Sequence, residues 1–252
     1  MHRRPCCGNA AAVIAFLRAP LDDYLAALTA AAAQPRALWL LLFAAVLSWW
    51  LYVPVHELLH AYGCLWSGGE VTRLEIDAIY GAALLQRWFP FVAVGSEYAG
   101  QLTGFDTHGS DWIYLATDAL PFLLTVVLGV PLLRAAAQAA PAPAALQLGA
   151  AIPIAFAPFI SLTGDYYEMA SILISKLAAA VVQGTDPSRW RSDDLFLLLE
   201  RLGELSALDV TVVGTAVLLS ALLAWGTYWL GRGVARIAGL GPWGVDRHVR
   251  AI

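Results

Sequence analysis

Residues 37–60, ALWLLLFAAVLSWWLYVPVHELLH, join a charge-free apolar run to a cluster of ionisable side chains. A transmembrane helix needs about 20 mostly apolar residues to cross about 30 Å of hydrocarbon. The run 37–55 has this character and ends directly before His56. We therefore predict a spanning helix whose end carries a polar site.

The whole chain shares the apolar character of this segment. Of its 252 residues, 60% are hydrophobic and 13% are charged, whereas soluble domains carry about 25% charged residues. This composition excludes a disordered chain, and three cysteines are too few for a disulfide scaffold. A net charge of −4 lacks the basic footprint of a nucleic-acid binder. We expect the lipid bilayer to surround most of the chain and expect no nucleic-acid partner.

Three further charge-poor windows, 113–133, 135–164 and 210–231, predict additional spans. The segment that follows Gly164 is shorter and more charged, so it is interpreted as the second half of a broken helix. The predicted fold class is an all-α polytopic membrane protein with about four to five transmembrane helices, one of them broken near Gly164. Weak alternation over residues 70–88, which include Gly81, also predicts a small β-hairpin at the membrane surface.

The sequence His56-Glu57-Leu58-Leu59-His60 carries the pattern of a metal-dependent hydrolase. Residues four apart share a helix face, so both imidazoles can reach one ion. Glu57 is displaced around the helix toward a water on that ion, which is the zincin arrangement. Ionisable residues at membrane depth are costly and therefore indicate function. The motif predicts a Zn²⁺ site at His56 and His60 with Glu57 as general base, against the alternative of two interfacial histidines beside a snorkelling glutamate.

A catalytic zinc takes three protein ligands and keeps one open position, so a third ligand must come from elsewhere. Asp165 has the best context, because it follows a long charge-free run in which Pro158 and Gly164 can break the helix beside a polar cavity. It also lies about as far along its helix as His56 does, which places the two at one depth if both helices run in the same direction. Glu168 is the alternative ligand, and weaker candidates are Glu97, Cys64, His2, His108 and His248.

In their order along the chain, these features resemble the site-2 protease family of intramembrane zinc metalloproteases. The matching features are an apolar helix ending in HELLHAYGCLWSGG, the strand-like stretch EVTRLEI, a proline-bearing apolar helix and a broken apolar segment before an aspartate. The resemblance covers about residues 37–182. It implies that His56, His60 and Asp165 hold zinc. It also implies that Glu57 is the catalytic base.

One departure from the family pattern lies at the aspartate. The family usually presents it as Leu-Asp-Gly, whereas this chain has Gly164-Asp165-Tyr166.

The predicted organisation has four parts: an N-terminal interfacial segment (1–36), a membrane-embedded metalloprotease core (37–182), a polar extramembrane loop (183–206) and a C-terminal transmembrane helix with a basic tail (207–252).

These predictions describe a zinc-dependent endopeptidase that hydrolyses peptide bonds of membrane or membrane-proximal protein or peptide substrates. One alternative is a non-catalytic metal-binding membrane protein that acts as a scaffold or accessory subunit, and the unusual Gly-Asp-Tyr order favours it. Another alternative is a transporter or channel that uses these ionisable groups as an ion path. Few spans and no internal repeat disfavour that alternative.

Charges outside the spans predict the orientation, because arginine and lysine are enriched on the cytoplasmic side. Arginines cluster near both ends of the chain, while residues 64–112 and 184–206 are rich in acids. We therefore expect an integral, multi-pass protein of a bacterial inner membrane with both termini in the cytoplasm. The arginines concerned are Arg3, Arg4, Arg18 and Arg36 near the start and Arg232, Arg236, Arg247 and Arg250 near the end.

Overall fold

The computed structural model describes residues 7–240. Within that range the chain is mostly helical, with a small β-sheet inserted after the second helix. The helices are α1 (Cys7–Ala32), α2 (Leu38–Ser67), α3 (Ala82–Leu85), α4 (Asp111–Ala119), α5 (Val130–Ala136), α6 (Pro141–Ala155), α7 (Ala157–Ile160), α8 (Asp165–Val181), α9 (Leu195–Leu202) and α10 (Ala207–Ile237). The strands are β1 (Glu70–Ile76), β2 (Val92–Val94) and β3 (Gly100–Asp106). His2, Arg3, Arg4, Arg247, His248 and Arg250 lie outside the described residues.

Three helical stretches in the described range are long and apolar enough to cross a membrane: Pro35–Ser67, Asp111–Ala136 and Ala207–Ile237. This identifies a membrane protein and confirms three of the predicted windows. A fourth span results if α6 and the helical segment after it, which are bent by 40° at their junction, are counted as one. Three is below the four to five spans predicted, because α6 has only 15 residues before the bend and α8 has 17 residues and carries Asp165, Glu168 and Lys176.

The predicted break in the window 135–164 is present, and the backbone bends there at two points. The helix α6 ends at Ala155, and after a short bent segment the backbone turns again at Gly164 with φ −104° and ψ −117°. Asp165 is therefore the first residue of α8. A charge at this position lies at a helix end, where an interrupted backbone can border a polar cavity.

The observed sheet differs from the predicted hairpin. Strand β1 forms where EVTRLEI predicted a strand, but its partners come from later in the chain, in the order β2-β1-β3. It pairs in parallel with β2 and antiparallel with β3. Residues 78–85, where the hairpin was expected to return, are helical instead. The reason is burial: Leu74 and Ile76 pack with Val92 against Ala61 of α2, which favours these longer-range pairings.

Close packing holds α4 against α2. A Cβ atom at Gly63 would overlap backbone atoms of Ala116 and Thr117, so the two helices approach more closely than larger residues would allow. Small residues at such contacts are typical of membrane helices. The approach brings the backbone of α4 beside the last turns of α2, where His60 lies.

A buried ionic network ties α1, α5 and α10 together away from the motif. Arg134 is fully buried and donates to Asp23 at 2.8 Å, and its guanidinium also donates to the carbonyl of Leu240. Arg232 lies 3.2 Å from the other oxygen of Asp23, which also accepts a hydrogen bond from Tyr228. Each charged side chain in this network therefore has an oppositely charged neighbour within the chain.

Candidate metal centre

Two helices bring three potential ligands together. His56 and His60 lie one turn apart on α2 and are buried, and Asp165 faces them from the start of α8. The Nε2 atoms of the two histidines are 3.2 Å apart. The Asp165 carboxylate lies 3.6 Å from Nε2 of His56 and 3.9 Å from Nε2 of His60. The structure therefore groups two nitrogen atoms and one carboxylate around a common point.

The separation of the two imidazole nitrogens fits a tetrahedral zinc ion. Ligand atoms about 2.0 to 2.1 Å from a tetrahedral ion lie about 3.3 Å from one another, and the two Nε2 atoms are 3.2 Å apart. The carboxylate of Asp165 presents a different oxygen to each ring, Oδ2 at 3.6 Å from His56 and Oδ1 at 3.9 Å from His60. Two imidazoles and one carboxylate are also a known donor set for catalytic zinc, with the fourth position left to water or substrate.

Neighbouring groups fix the orientation of both imidazole rings. Nδ1 of His60 lies 2.9 Å from the carbonyl oxygen of Thr117, and because a carbonyl only accepts, this nitrogen carries the proton. The lone pair of His60 is then on Nε2, toward Asp165. On the other ring, the Tyr52 hydroxyl lies 2.7 Å from Nδ1 of His56. Such outer partners are typical of metal-binding histidines, because they set the tautomer and the ring orientation.

The side chain of Glu57 extends from α2 toward the start of β3. A Cβ atom at Gly100 would overlap Cγ of Glu57 and lie close to its carboxyl carbon, so the glycine leaves the space that the glutamate occupies. Glu57 lines the same cavity as the three ligands. A carboxylate beside a metal-ligand cluster, held in place by a strand, is suited to act as a general base.

The cavity has a volume of about 350 Å³ and is lined mainly by polar side chains. Its walls come from α2, β3, α4, α8 and the segment that leads into α9. Among the described residues, no lysine or arginine lines it. Six carboxylates do: Glu57, Asp118, Asp165, Glu168, Asp193 and Asp194.

The other described candidate ligands do not join the cluster of His56, His60 and Asp165. Glu168 lines the cavity but accepts a hydrogen bond from Tyr114 rather than joining the imidazoles. Glu97 is exposed. Cys64 is buried with its sulfur toward the carbonyl of Glu70. His108 is in an exposed turn, 3.4 Å from Asp106.

Several residues of the site were not predicted from the sequence. Tyr52 is one helical turn before His56, and this spacing could have indicated it. Thr117 acts through its backbone carbonyl, which carries no sequence signal. Gly100 and Asp118 belong to elements whose packing against α2 and α8 follows only from the tertiary structure.

No family model, curated protein or solved structure matches this chain. The functional interpretation therefore depends on the geometry of the site and on the motif that supplies it.

Proposed function

We propose that the protein is an intramembrane zinc metalloprotease that hydrolyses peptide bonds of membrane or membrane-proximal substrates. One observation carries the proposal: the ligand atoms of His56, His60 and Asp165 converge on one point beside Glu57 in a shared cavity. The helix that bears the motif is one of the three candidate spans, so the site belongs to a membrane protein.

The side chains divide the chemistry among them. His56, His60 and Asp165 would hold zinc, which when bound supplies a Lewis acid that polarises a water molecule and the scissile carbonyl. Glu57 accepts the proton of the attacking water on its carboxylate and then delivers it to the nitrogen of the leaving amine. Tyr52 and Thr117 hold the two imidazoles in place through this sequence.

The proposal includes membership of the site-2 protease family, as a divergent member. It is supported by the spacing of the HELLH motif, the strand that follows it and the helix break before Asp165. We further propose that the protein is a multi-pass protein of a bacterial inner membrane with both termini cytoplasmic, which requires an even number of crossings and therefore counts the bent segment 141–163 as a fourth span. The arginine-rich segments near the chain ends support that orientation.

The substitution Glu57→Gln tests the mechanism, because it removes the base and retains the size of the side chain. In purified protein reconstituted with zinc, we expect Glu57→Gln to bind about one zinc per chain and to lose cleavage of a labelled model transmembrane peptide by a factor of about 10² or more. The matched control is Glu200→Gln, an exposed glutamate of α9, which should cleave at the parental rate.

Two outcomes would contradict the mechanism. Cleavage by Glu57→Gln at the parental rate would exclude Glu57 as the base. Zinc bound at one per chain with no turnover by the parental protein would instead favour the non-catalytic metal-binding scaffold.

A further inference from the structure

Two carboxylates between α4 and α8 have no role in the metal centre. Asp118 is 4% exposed, and its Oδ2 atom is buried without a hydrogen-bond partner among the described residues. Glu168 accepts a hydrogen bond from Tyr114, which comes one turn before Asp118 on α4. Both carboxylates line the cavity that contains the metal-ligand cluster.

The charges of the cavity do not balance within the chain. A divalent ion would offset the carboxylates of Asp165 and Glu57, which leaves Asp118 and Glu168 without a counter-charge. A buried carboxyl oxygen without a hydrogen-bond partner is costly, and Oδ2 of Asp118 is such an atom. A cationic hydrogen-bond donor from outside the chain would therefore lower the free energy of this part of the cavity.

The nearby basic side chains are engaged elsewhere. Lys176 lies 2.6 Å from Asp111, and Arg191 donates to the same carboxylate at 2.8 Å. Arg189 pairs with Asp209 at 2.8 Å. These contacts hold the segment before α9 against the bundle and keep its cations away from Asp118.

The chemistry of the pair favours an organic cation over a second metal ion. In the described part of the chain, only His56, His60 and Asp165 bring three metal donors within reach of one ion. Asp118 and Glu168 offer carboxylate oxygens beside the hydroxyl of Tyr114. Such acceptors suit an ammonium or guanidinium group, which forms charge-assisted hydrogen bonds to carboxylates.

We propose that Asp118 and Glu168 form a specificity subsite that binds a positively charged side chain of the peptide substrate. The proposal rests on the proposed protease function and names its substrate class: segments with a lysine or arginine close to the cleaved bond. Asp118 directly follows Thr117, whose carbonyl contacts His60, and Glu168 lies one turn beyond Asp165. One turn is about 5.4 Å, and an extended peptide advances about 3.3 Å per residue. The bound side chain therefore belongs to a residue within one or two positions of the scissile bond.

A binding measurement tests the subsite without turnover. The probe is a labelled alanine–leucine peptide with one lysine, moved through the central positions, compared with the same peptide carrying norleucine. The full-length, zinc-loaded Glu57→Gln protein should bind the best lysine peptide about 10- to 100-fold more tightly than its norleucine counterpart. Addition of Asp118→Asn should remove this preference, whereas addition of Asp22→Asn, at an exposed aspartate of α1, should leave it unchanged.

Zinc stoichiometry verifies that each variant retains the metal centre. If Asp118→Asn fails to fold, Glu168→Gln provides the second variant, with the same expected loss of preference. Equal affinities for the two peptides in Glu57→Gln, or a lysine preference that survives both substitutions, would overturn the subsite.

A cleavage measurement separates the two proposals. With Glu57 present, the lysine peptide should be cleaved with a higher kcat/KM than the norleucine peptide, and Asp118→Asn should equalise the two. Lysine-dependent binding with no cleavage of any peptide would refute the protease function and support the subsite. Cleavage with no preference for lysine would refute the subsite and support the protease function.

Discussion

Two buried polar clusters in this protein differ in how their charges are balanced. In the first, Asp23 has Arg134 at 2.8 Å and Arg232 at 3.2 Å and accepts a hydrogen bond from Tyr228. In the second, the metal-ligand cluster borders a cavity lined by six carboxylates and, within the described residues, by no lysine or arginine. The first cluster neutralises its acid from within the chain, whereas the second has no cationic side chain among its described lining residues.

The clusters also differ in access. The side chains of Asp23 and Arg134 are 1% and 0% exposed, so no ligand reaches them. The side chain of Asp165 is 25% exposed, toward the cavity. In the closed network each charged side chain contacts an oppositely charged one of the same chain, while an open, acidic cluster is suited to bind a metal ion and a substrate. Burial of charge alone therefore does not indicate function in this chain.

The largest expected effect comes from a change of a proposed metal ligand. Asp165→Asn removes the anionic donor and retains the shape of the side chain. Its zinc affinity should fall by more than about 100-fold, beyond the upper range for partners outside the ligand set. Competition with a zinc-binding dye on purified protein measures this. Asp193→Asn, at an exposed aspartate on the same cavity, is the control and should keep its zinc; retention of zinc by Asp165→Asn would exclude Asp165 as a ligand.

The Asp23 network should respond in stability instead. Arg134→Met leaves a buried Asp23 with one fewer cation, and loss of one partner of a buried pair costs about 3 to 5 kcal/mol. We expect the lower end, because Arg232 and Tyr228 remain beside Asp23. Denaturant unfolding in detergent micelles measures the change. Arg18→Met, which breaks the exposed Arg18–Asp22 pair of α1, should cost less than about 1 kcal/mol.

The zinc affinity of the Arg134→Met variant tests whether the two clusters are independent. Folded Arg134→Met should bind zinc with parental affinity, because its substitution does not touch the cavity. A loss of zinc affinity in folded Arg134→Met would mean that the two clusters are coupled, and the contrast between them would then be wrong.

A displacement of the Glu57 side chain should have an intermediate effect on the rate of peptide cleavage. Gly100→Ala places a methyl group where Cγ of Glu57 lies, so the carboxylate must shift. A displacement of about 1 Å in a reacting group costs about 10²-fold in rate, and we expect that loss in peptide cleavage with zinc binding unchanged. Gly226→Ala is the matched control, since a Cβ atom there meets open space on α10. Parental cleavage by Gly100→Ala would show that β3 does not position the base.

Local sequence patterns predicted the parts of the protein that depend on local physics. Three of the four apolar windows correspond to helices long enough to span a membrane, and the four-residue spacing of HELLH put both imidazoles on one face of α2. The break before Asp165 followed from Gly164 and its charge-free run. Each of these features depends on residues close together in the sequence.

The remaining features depend on contacts between distant segments. The partners of β1 are decided by burial against Ala61 of α2, so weak alternation over 70–88 predicted the wrong return strand. The carbonyl of Thr117 reaches His60 only because Gly63 lets α4 approach α2. Asp118 is an acid within the apolar window 113–133, but its neighbours across the cavity come from α8 and the segment before α9, which no local pattern indicates.

The smallest expected effect tests the partner of His56. Tyr52→Phe removes the hydroxyl that lies 2.7 Å from Nδ1 and leaves the aromatic ring, so both ligand nitrogens and the packing of α2 remain. Loss of such an outer partner weakens metal binding by about 10-fold, the lower end of the usual range, because the ring of His56 stays packed against Phe122. Tyr62→Phe, on the same helix with its ring against Trp66 and Phe89, is the control and should keep parental zinc affinity. Equal zinc affinities for the two variants would show that the Tyr52 hydroxyl does not orient the ligand, and that the imidazole is held by ring packing alone.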